Sequence, residues 1–134
     1  MSVKGSCLCG SVNFELEGDF ESFFLCHCSY CRKDTGSAHA ANLFSYNAKL
    51  KWDSGQGLVK NFRLSGTRHT KSFCKECGSA MPIEVAELGL VVVPAGSLDD
   101  EISINPTAHI FTASKANWDE NLENVHSFEA LPQA

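Results

Sequence analysis

Apolar and polar residues alternate in short runs along this chain. Val12, Phe14 and Leu16 alternate with polar neighbours, as do Leu50 and Trp52, and Phe62 and Leu64, which is the period of half-buried β-strands. Leu90 to Val93 is continuously apolar and rich in valine, which suits a strand buried on both faces. Turn formers separate these runs at Glu17-Gly-Asp19, Asp53-Ser-Gly-Gln-Gly57, Ser65-Gly66, Leu98-Asp-Asp100 and Asn105-Pro106. No stretch of about three turns carries a helical period. Tyr30 to Thr35, stopped by Gly36, predicts one helical turn, and Trp118 to Val125 predicts a second, weaker helix. The expected class is mainly β, in short antiparallel strands.

Size and charge narrow the function classes. The 134 residues predict a single domain over 1–134, and a hydrophobic content of 43% with nine Phe excludes intrinsic disorder. A net charge of −5 argues against nucleic-acid and anionic-membrane partners, which need clustered cations. The longest apolar run, Leu88-Gly-Leu-Val-Val-Val93, falls far short of the ~20 residues of a membrane span. The opening MSVKGSCLCG offers no apolar segment for export, so the expected location is cytoplasmic.

The candidate chemistry lies in seven cysteines: Cys7, Cys9, Cys26, Cys28, Cys31, Cys74 and Cys77. An odd number cannot pair fully within one chain, and in a reducing compartment close-set cysteines read as metal ligands or redox groups. Cys74-Lys-Glu-Cys77-Gly78 has the spacing of a zinc knuckle, in which a turn brings two thiolates to one ion and glycine lets the backbone close around it. Cys7 and Cys9, two apart on an extended backbone, face the same way. Neither pair fills a tetrahedron alone. Together they make a closed four-thiolate zinc site that staples the two ends of the core. A redox role for the C-x-x-C pair is disfavoured because no βαβ pattern surrounds it.

Cys26-His-Cys-Ser-Tyr-Cys31 is then left with three thiolates and no fourth cysteine. Three protein ligands with one open position is the arrangement of catalytic zinc. The alternative is that a histidine, His27 or His39, closes the tetrahedron and makes this site structural too. His27 lies between two of the ligands, so on an extended backbone it points away from their common face. Three thiolates make the ion a weak Lewis acid, suited less to generating hydroxide than to holding a small thiol in its deprotonated, nucleophilic form. The cysteine count does not fit two four-cysteine iron–sulfur clusters.

Gly5-Ser-Cys-Leu-Cys-Gly-Ser-Val12, Cys26-His-Cys-Ser-Tyr-Cys-Arg32 with Gly36, and Phe73-Cys-Lys-Glu-Cys-Gly-Ser79 together resemble the glutathione-dependent formaldehyde-activating enzyme family. His109-Ile-Phe111 and Lys115-Ala-Asn-Trp118 are similar to its C-terminal signature, and the resemblance covers roughly residues 3 to 120. It implies a β-tent fold of short antiparallel sheets organised around zinc. It also implies a structural zinc on Cys7, Cys9, Cys74 and Cys77 and a catalytic zinc on Cys26, Cys28 and Cys31. The implied activity is that of a carbon–sulfur lyase of the S-(hydroxymethyl)glutathione synthase type, acting on glutathione or another small thiol and formaldehyde or a related aldehyde.

The remaining residues carry further expectations. Arg32 is the candidate for a substrate carboxylate, since a guanidinium binds carboxylates bidentately; the alternative is that it screens the thiolates. His109 and Trp118 are expected to pack beside the core, His69 and His126 to lie at the surface, and Asp99-Asp-Glu101 to form a solvated turn. No nucleophile elbow, P-loop or dinucleotide fingerprint occurs. The competing class is a noncatalytic zinc module that binds a partner in the manner of a chaperone. A large exposed apolar patch would favour it.

Overall fold

A computed structural model describes residues 2–132. In chain order the strands are β1 (Ser2–Ser6), β2 (Asn13–Glu17), β3 (Ser22–Cys26), β4 (Ala40–Ser45), β5 (Lys49–Ser54), β6 (Val59–Arg63), β7 (Thr70–Cys74), β8 (Ile83–Val85), β9 (Leu90–Pro94) and β10 (Ala108–Ile110). One helix, α1 (Ser29–Thr35), lies between β3 and β4. The strands form a three-stranded sheet in the order β1-β2-β5, a five-stranded sheet in the order β10-β3-β4-β9-β8, and the ribbon β6-β7. Every strand pairing is antiparallel except that of β10 with β3. The mainly β class of small sheets expected from the alternation is the one observed. No helix among the described residues is long and apolar enough to cross a membrane.

The core follows the alternation. Val12, Phe14 and Leu16 are fully buried, while Asn13 and Glu15 between them face outward. They meet Leu43, Val91 and Val93 from the five-stranded sheet and Met81 from the segment before β8, and Trp52 packs edge-on against Phe14 with ring centroids 5.8 Å apart. Fully burying side chains of this size contributes about 1.5–3 kcal/mol each. Cys7 and Cys74 sit in the same cluster, so the first cysteine group is anchored in the core.

Three expectations change. β9 is buried on one face only: Val91 and Val93 enter the core, whereas Val92 is half-buried and lines a cleft. Phe62 alternates as a strand residue, but β6 belongs to a two-stranded ribbon with no layer over that face, and Phe62 stays exposed. The helix expected over Trp118 to Val125 is only a 3-10 turn at Leu122–Asn124, because Asn121 enters it in the left-handed region with φ 51°. The short helix at Tyr30 to Thr35 does form, beginning one residue earlier, and Gly36 ends it at φ 67° with its N–H bonded to the Arg32 carbonyl.

Candidate metal centres and substrate cleft

The turn after β1 and the end of β7 bring Cys7, Cys9, Cys74 and Cys77 together, with all four sulfurs within 4.8 Å of one another. Cys7 and Cys9 sulfurs are 3.5 Å apart, and those of Cys9 and Cys74 are 4.0 Å apart although 65 positions separate them in sequence. Gly10 and Gly78 close the two knuckles at φ 80° and 79°, where a Cβ would strain the backbone.

Backbone and hydroxyl donors aim at these sulfurs. The Val12 N–H reaches Cys7 Sγ at 3.3 Å. Burial opposes the Cys7 thiolate, yet that N–H and the neighbouring thiols hold its pKa below the ordinary thiol value. The Leu8 N–H donates to Ser79 Oγ at 2.8 Å, which leaves the Ser79 proton free for Cys77 Sγ, 3.3 Å away. That hydroxyl, with the N–H groups of Ser79 and Cys9, lowers the Cys77 pKa to about 5. Cys74, fully enclosed, is pushed up by burial. Donors that favour the thiolate at Cys7 and Cys77 suit a divalent soft-ligand ion, whose charge would offset the burial that opposes ionisation at Cys74. Ser79 had no assigned role in the sequence reading; its signal was the serine directly after the knuckle glycine.

The second group forms where β3 meets α1. Cys26 ends the strand, Cys28 is the helix N-cap and Cys31 is one turn in. The Cys31 N–H donates to Cys28 Sγ at 3.3 Å. Burial works to raise Cys28, but this N–H and the adjoining thiols leave its pKa lowered. Burial pushes Cys26 up, and it pushes Cys31 up strongly, reinforced by the other two sulfurs. Three sulfurs so close do not all ionise without a cation to offset their charge. The donor set therefore fits a metal ion.

His27 and His39 do not join this triple. They group instead with Asp119, and the His27 Nε2 is 2.8 Å from the His109 Nδ1. His27 is almost completely buried, and burial lowers its pKa against the opposing pull of Asp119.

Cys31 also lines a cleft of about 530 Å³ between the five-stranded sheet and the β6-β7 ribbon. Its walls combine Met81, Ile83 and Val92 with the cations Arg63, Arg68 and Lys71. Asp34 lines it too, but its carboxylate is taken by His69 at 2.6 Å, and its carbonyl accepts from the Lys71 ammonium. Among the described residues no carboxylate lies within ion-pair distance of Arg63, Arg68 or Lys71. A negatively charged chain thus gathers unpaired cations beside one cysteine cluster.

Arg32 is outside the residues lining the cleft, and its Nη1 donates to the Ser114 carbonyl at 3.0 Å. His69, expected as a surface bystander, is part of the cleft wall. His109 and Trp118 are exposed rather than packed beside the core, with Trp118 56% accessible, and His126 is exposed as expected. Asp99 and Asp100 are not merely solvated: Asp99 accepts from the Ser6 hydroxyl at 2.7 Å and Asp100 from the Lys4 N–H at 2.8 Å, which ties the turn to β1. The sequence reading missed Arg63, Arg68 and Lys71. Their only signal was three cations flanking the Ser65-Gly66 turn, and the Arg63–Thr70 pairing of the hairpin is what gathers them.

The fold and these sites define a small β protein with two cysteine clusters able to hold metal ions, one four-sided and one three-sided beside a cleft. The chain belongs to the glutathione-dependent formaldehyde-activating enzyme family, whose model matches residues 2–114. It is 29% identical over 130 residues to a Halomonas elongata protein that carries the same family description as a provisional name; the match covers 90% of this chain and 81% of that one. A crystal structure of a Rhodobacter sphaeroides protein shares the fold, with a TM-score of 0.57 at 24% identity, covering 79% of this chain and 98% of the other.

Proposed function

We propose that this protein is a zinc-dependent enzyme that adds glutathione, or a similar anionic thiol, to formaldehyde. The reading is carried by the three-sulfur cluster whose Cys31 opens onto a cation-lined cleft. Cys7, Cys9, Cys74 and Cys77 would hold a structural ion, and Cys26, Cys28 and Cys31 a catalytic one. Zinc with three thiolate ligands supplies an electrostatic site that favours the deprotonated form of an incoming thiol. Arg63, Arg68 and Lys71 bind the carboxylates of the thiol, which places its sulfur toward Cys31 rather than in bulk water. In the reaction a sulfur–carbon bond forms, the carbonyl π pair moves to oxygen, and that oxygen takes up a proton to give the S-hydroxymethyl adduct. The reverse cleavage is the carbon–sulfur lyase direction. Arg32, whose Nη1 donates to the Ser114 carbonyl, ties α1 to the segment after β10.

Cobalt substitution tests the sulfur chemistry, because cobalt–thiolate charge-transfer and d–d bands report ligand type and geometry. Glutathione should perturb the bands of one cluster only, and S-methylglutathione, which has no ionisable thiol, should perturb them far less. Equal responses to both would remove the metal from thiol activation.

The cleft cations give a separate expectation. Arg68→Ala should raise KM for glutathione about three- to tenfold with little change in kcat, since each solvent-accessible charged contact contributes roughly 1 kcal/mol. Cysteamine, which has no carboxylate, should be indifferent to the substitution. Equal losses for both thiols would show that Arg68 does not read carboxylates.

One observation favours a second reading, partner binding. Phe111, Trp118, Leu122, Val125, Phe128 and Leu131 are all exposed in the C-terminal segment. No spectral response to either glutathione compound would put that reading ahead.

A further inference from the structure

We propose that His27, His39 and Asp119 form a third metal site, built from nitrogen and oxygen donors and separate from both cysteine clusters. One ring nitrogen of each histidine and a carboxylate oxygen of Asp119 lie within 4.8 Å of one another. They come from three distant parts of the chain: the β3–α1 junction, the residue before β4 and the segment after β10. Nothing in thiol addition requires this convergence.

The hydrogen bonding around His27 is what points to a cation. His27 is 2% exposed, and its Nε2 is 2.8 Å from the His109 Nδ1. Its other nitrogen, Nδ1, faces Asp119 Oδ2 at 3.2 Å, yet makes no hydrogen bond because the in-plane direction of the nitrogen misses the oxygen. The buried Nδ1 of His39 is likewise without a partner. If His27 Nε2 carries the proton and donates to His109, then Nδ1 and a carboxylate oxygen stand 3.2 Å apart as two acceptors with no proton between them. If Nδ1 carries the proton instead, that proton is not aimed at Asp119, and His39 Nδ1 stays unsatisfied. Unsatisfied buried polar atoms cost about 1–3 kcal/mol each, so two in one place call for an explanation.

A divalent ion supplies one. Two ligands on a tetrahedral ion with bonds of 2.0–2.1 Å stand about 3.3 Å apart, with the ion to one side of the line joining them. The observed 3.2 Å between His27 Nδ1 and Asp119 Oδ2 is compatible with that separation. Two imidazoles and a carboxylate are a first-row transition-metal set, with zinc the commonest fit, and they leave one coordination position open. His109 then fixes the His27 tautomer and ring plane from behind, as the outer partner of a metal-bound histidine does. Because the donors contain no sulfur, the site stands or falls independently of the thiolate reading.

The test adds cobalt to protein carrying two equivalents of zinc, one for each cysteine cluster, following metal content after desalting and the visible spectrum. The intact chain should take up one further equivalent, with d–d bands but no thiolate charge transfer in the near ultraviolet. Asp119→Asn, which keeps the side-chain shape, and His39→Ala, at a partly exposed position, should each weaken that uptake roughly a hundredfold while leaving the cysteine-bound zinc and the circular dichroism unchanged. His109→Ala should weaken it about tenfold, the effect of an outer partner. No further equivalent, uptake accompanied by thiolate charge transfer, or uptake untouched by Asp119→Asn and His39→Ala would each overturn the assignment.

Discussion

Cys77→Ser is expected to yield insoluble or unfolded protein. Cys7 and Cys74 are part of the hydrophobic core, and the four-sulfur group joins β1 to β7 across 65 positions between Cys9 and Cys74. Binding of zinc to such a set contributes on the order of 10–16 kcal/mol, comparable to or larger than the whole stability of a domain of this size. Serine removes a thiolate that the surrounding donors hold near pKa 5 and puts a neutral hydroxyl, a poor ligand for a soft-ligand ion, in its place. The measurements are soluble yield, far-ultraviolet circular dichroism and zinc content. Native dichroism with an unchanged Tm would remove the structural role from this cluster.

Cys28→Ser should behave in the opposite way. The triple spans the end of one strand and the first turn of one helix, so its ion closes no long loop. Serine is also a good N-cap, so the side-chain bond that Cys28 accepts from the Cys31 N–H can be kept. The expected protein is folded, with a Tm within about 5 °C of the parent. Its zinc content should fall by about one equivalent, and thiol–aldehyde activity should drop roughly a hundredfold or more. A collapse as complete as that of Cys77→Ser would show that both clusters are structural.

Much of this protein was legible in its sequence because the informative features are local. Alternation places Val12, Phe14 and Leu16 inside irrespective of what covers them, since successive strand residues must face opposite ways. Cysteine spacing works at the same range: two residues between Cys74 and Cys77, or one between Cys7 and Cys9, already decide whether two sulfurs can share an ion. The same geometry anticipates that His27 faces away from its flanking cysteines, and the structure places it with His39 and Asp119 instead. Gly36 ended the helix at the expected residue because a left-handed cap is a single-residue property.

Local pattern fails where a residue's role depends on what lies across from it. Phe62 and Val92 read as buried strand positions, but the ribbon leaves one uncovered and the cleft opens beside the other. The Trp118 to Val125 helix was lost to the left-handed backbone of Asn121 and to the absence of a surface to bury its apolar face. Which cations line the cleft beside Cys31, namely Arg63, Arg68 and Lys71, is likewise set by the hairpin and not by neighbours in sequence.

By itself, then, the sequence determined the β class, the two cysteine groups and their unequal ligand counts, because each follows from periods and spacings within a few residues. Only the tertiary structure decided which cations share a cleft with Cys31 and which acid meets His27 and His39. Those neighbours are brought together by the β6-β7 hairpin and by the parallel pairing of β10 with β3, contacts between residues far apart in the chain that no short-range pattern encodes.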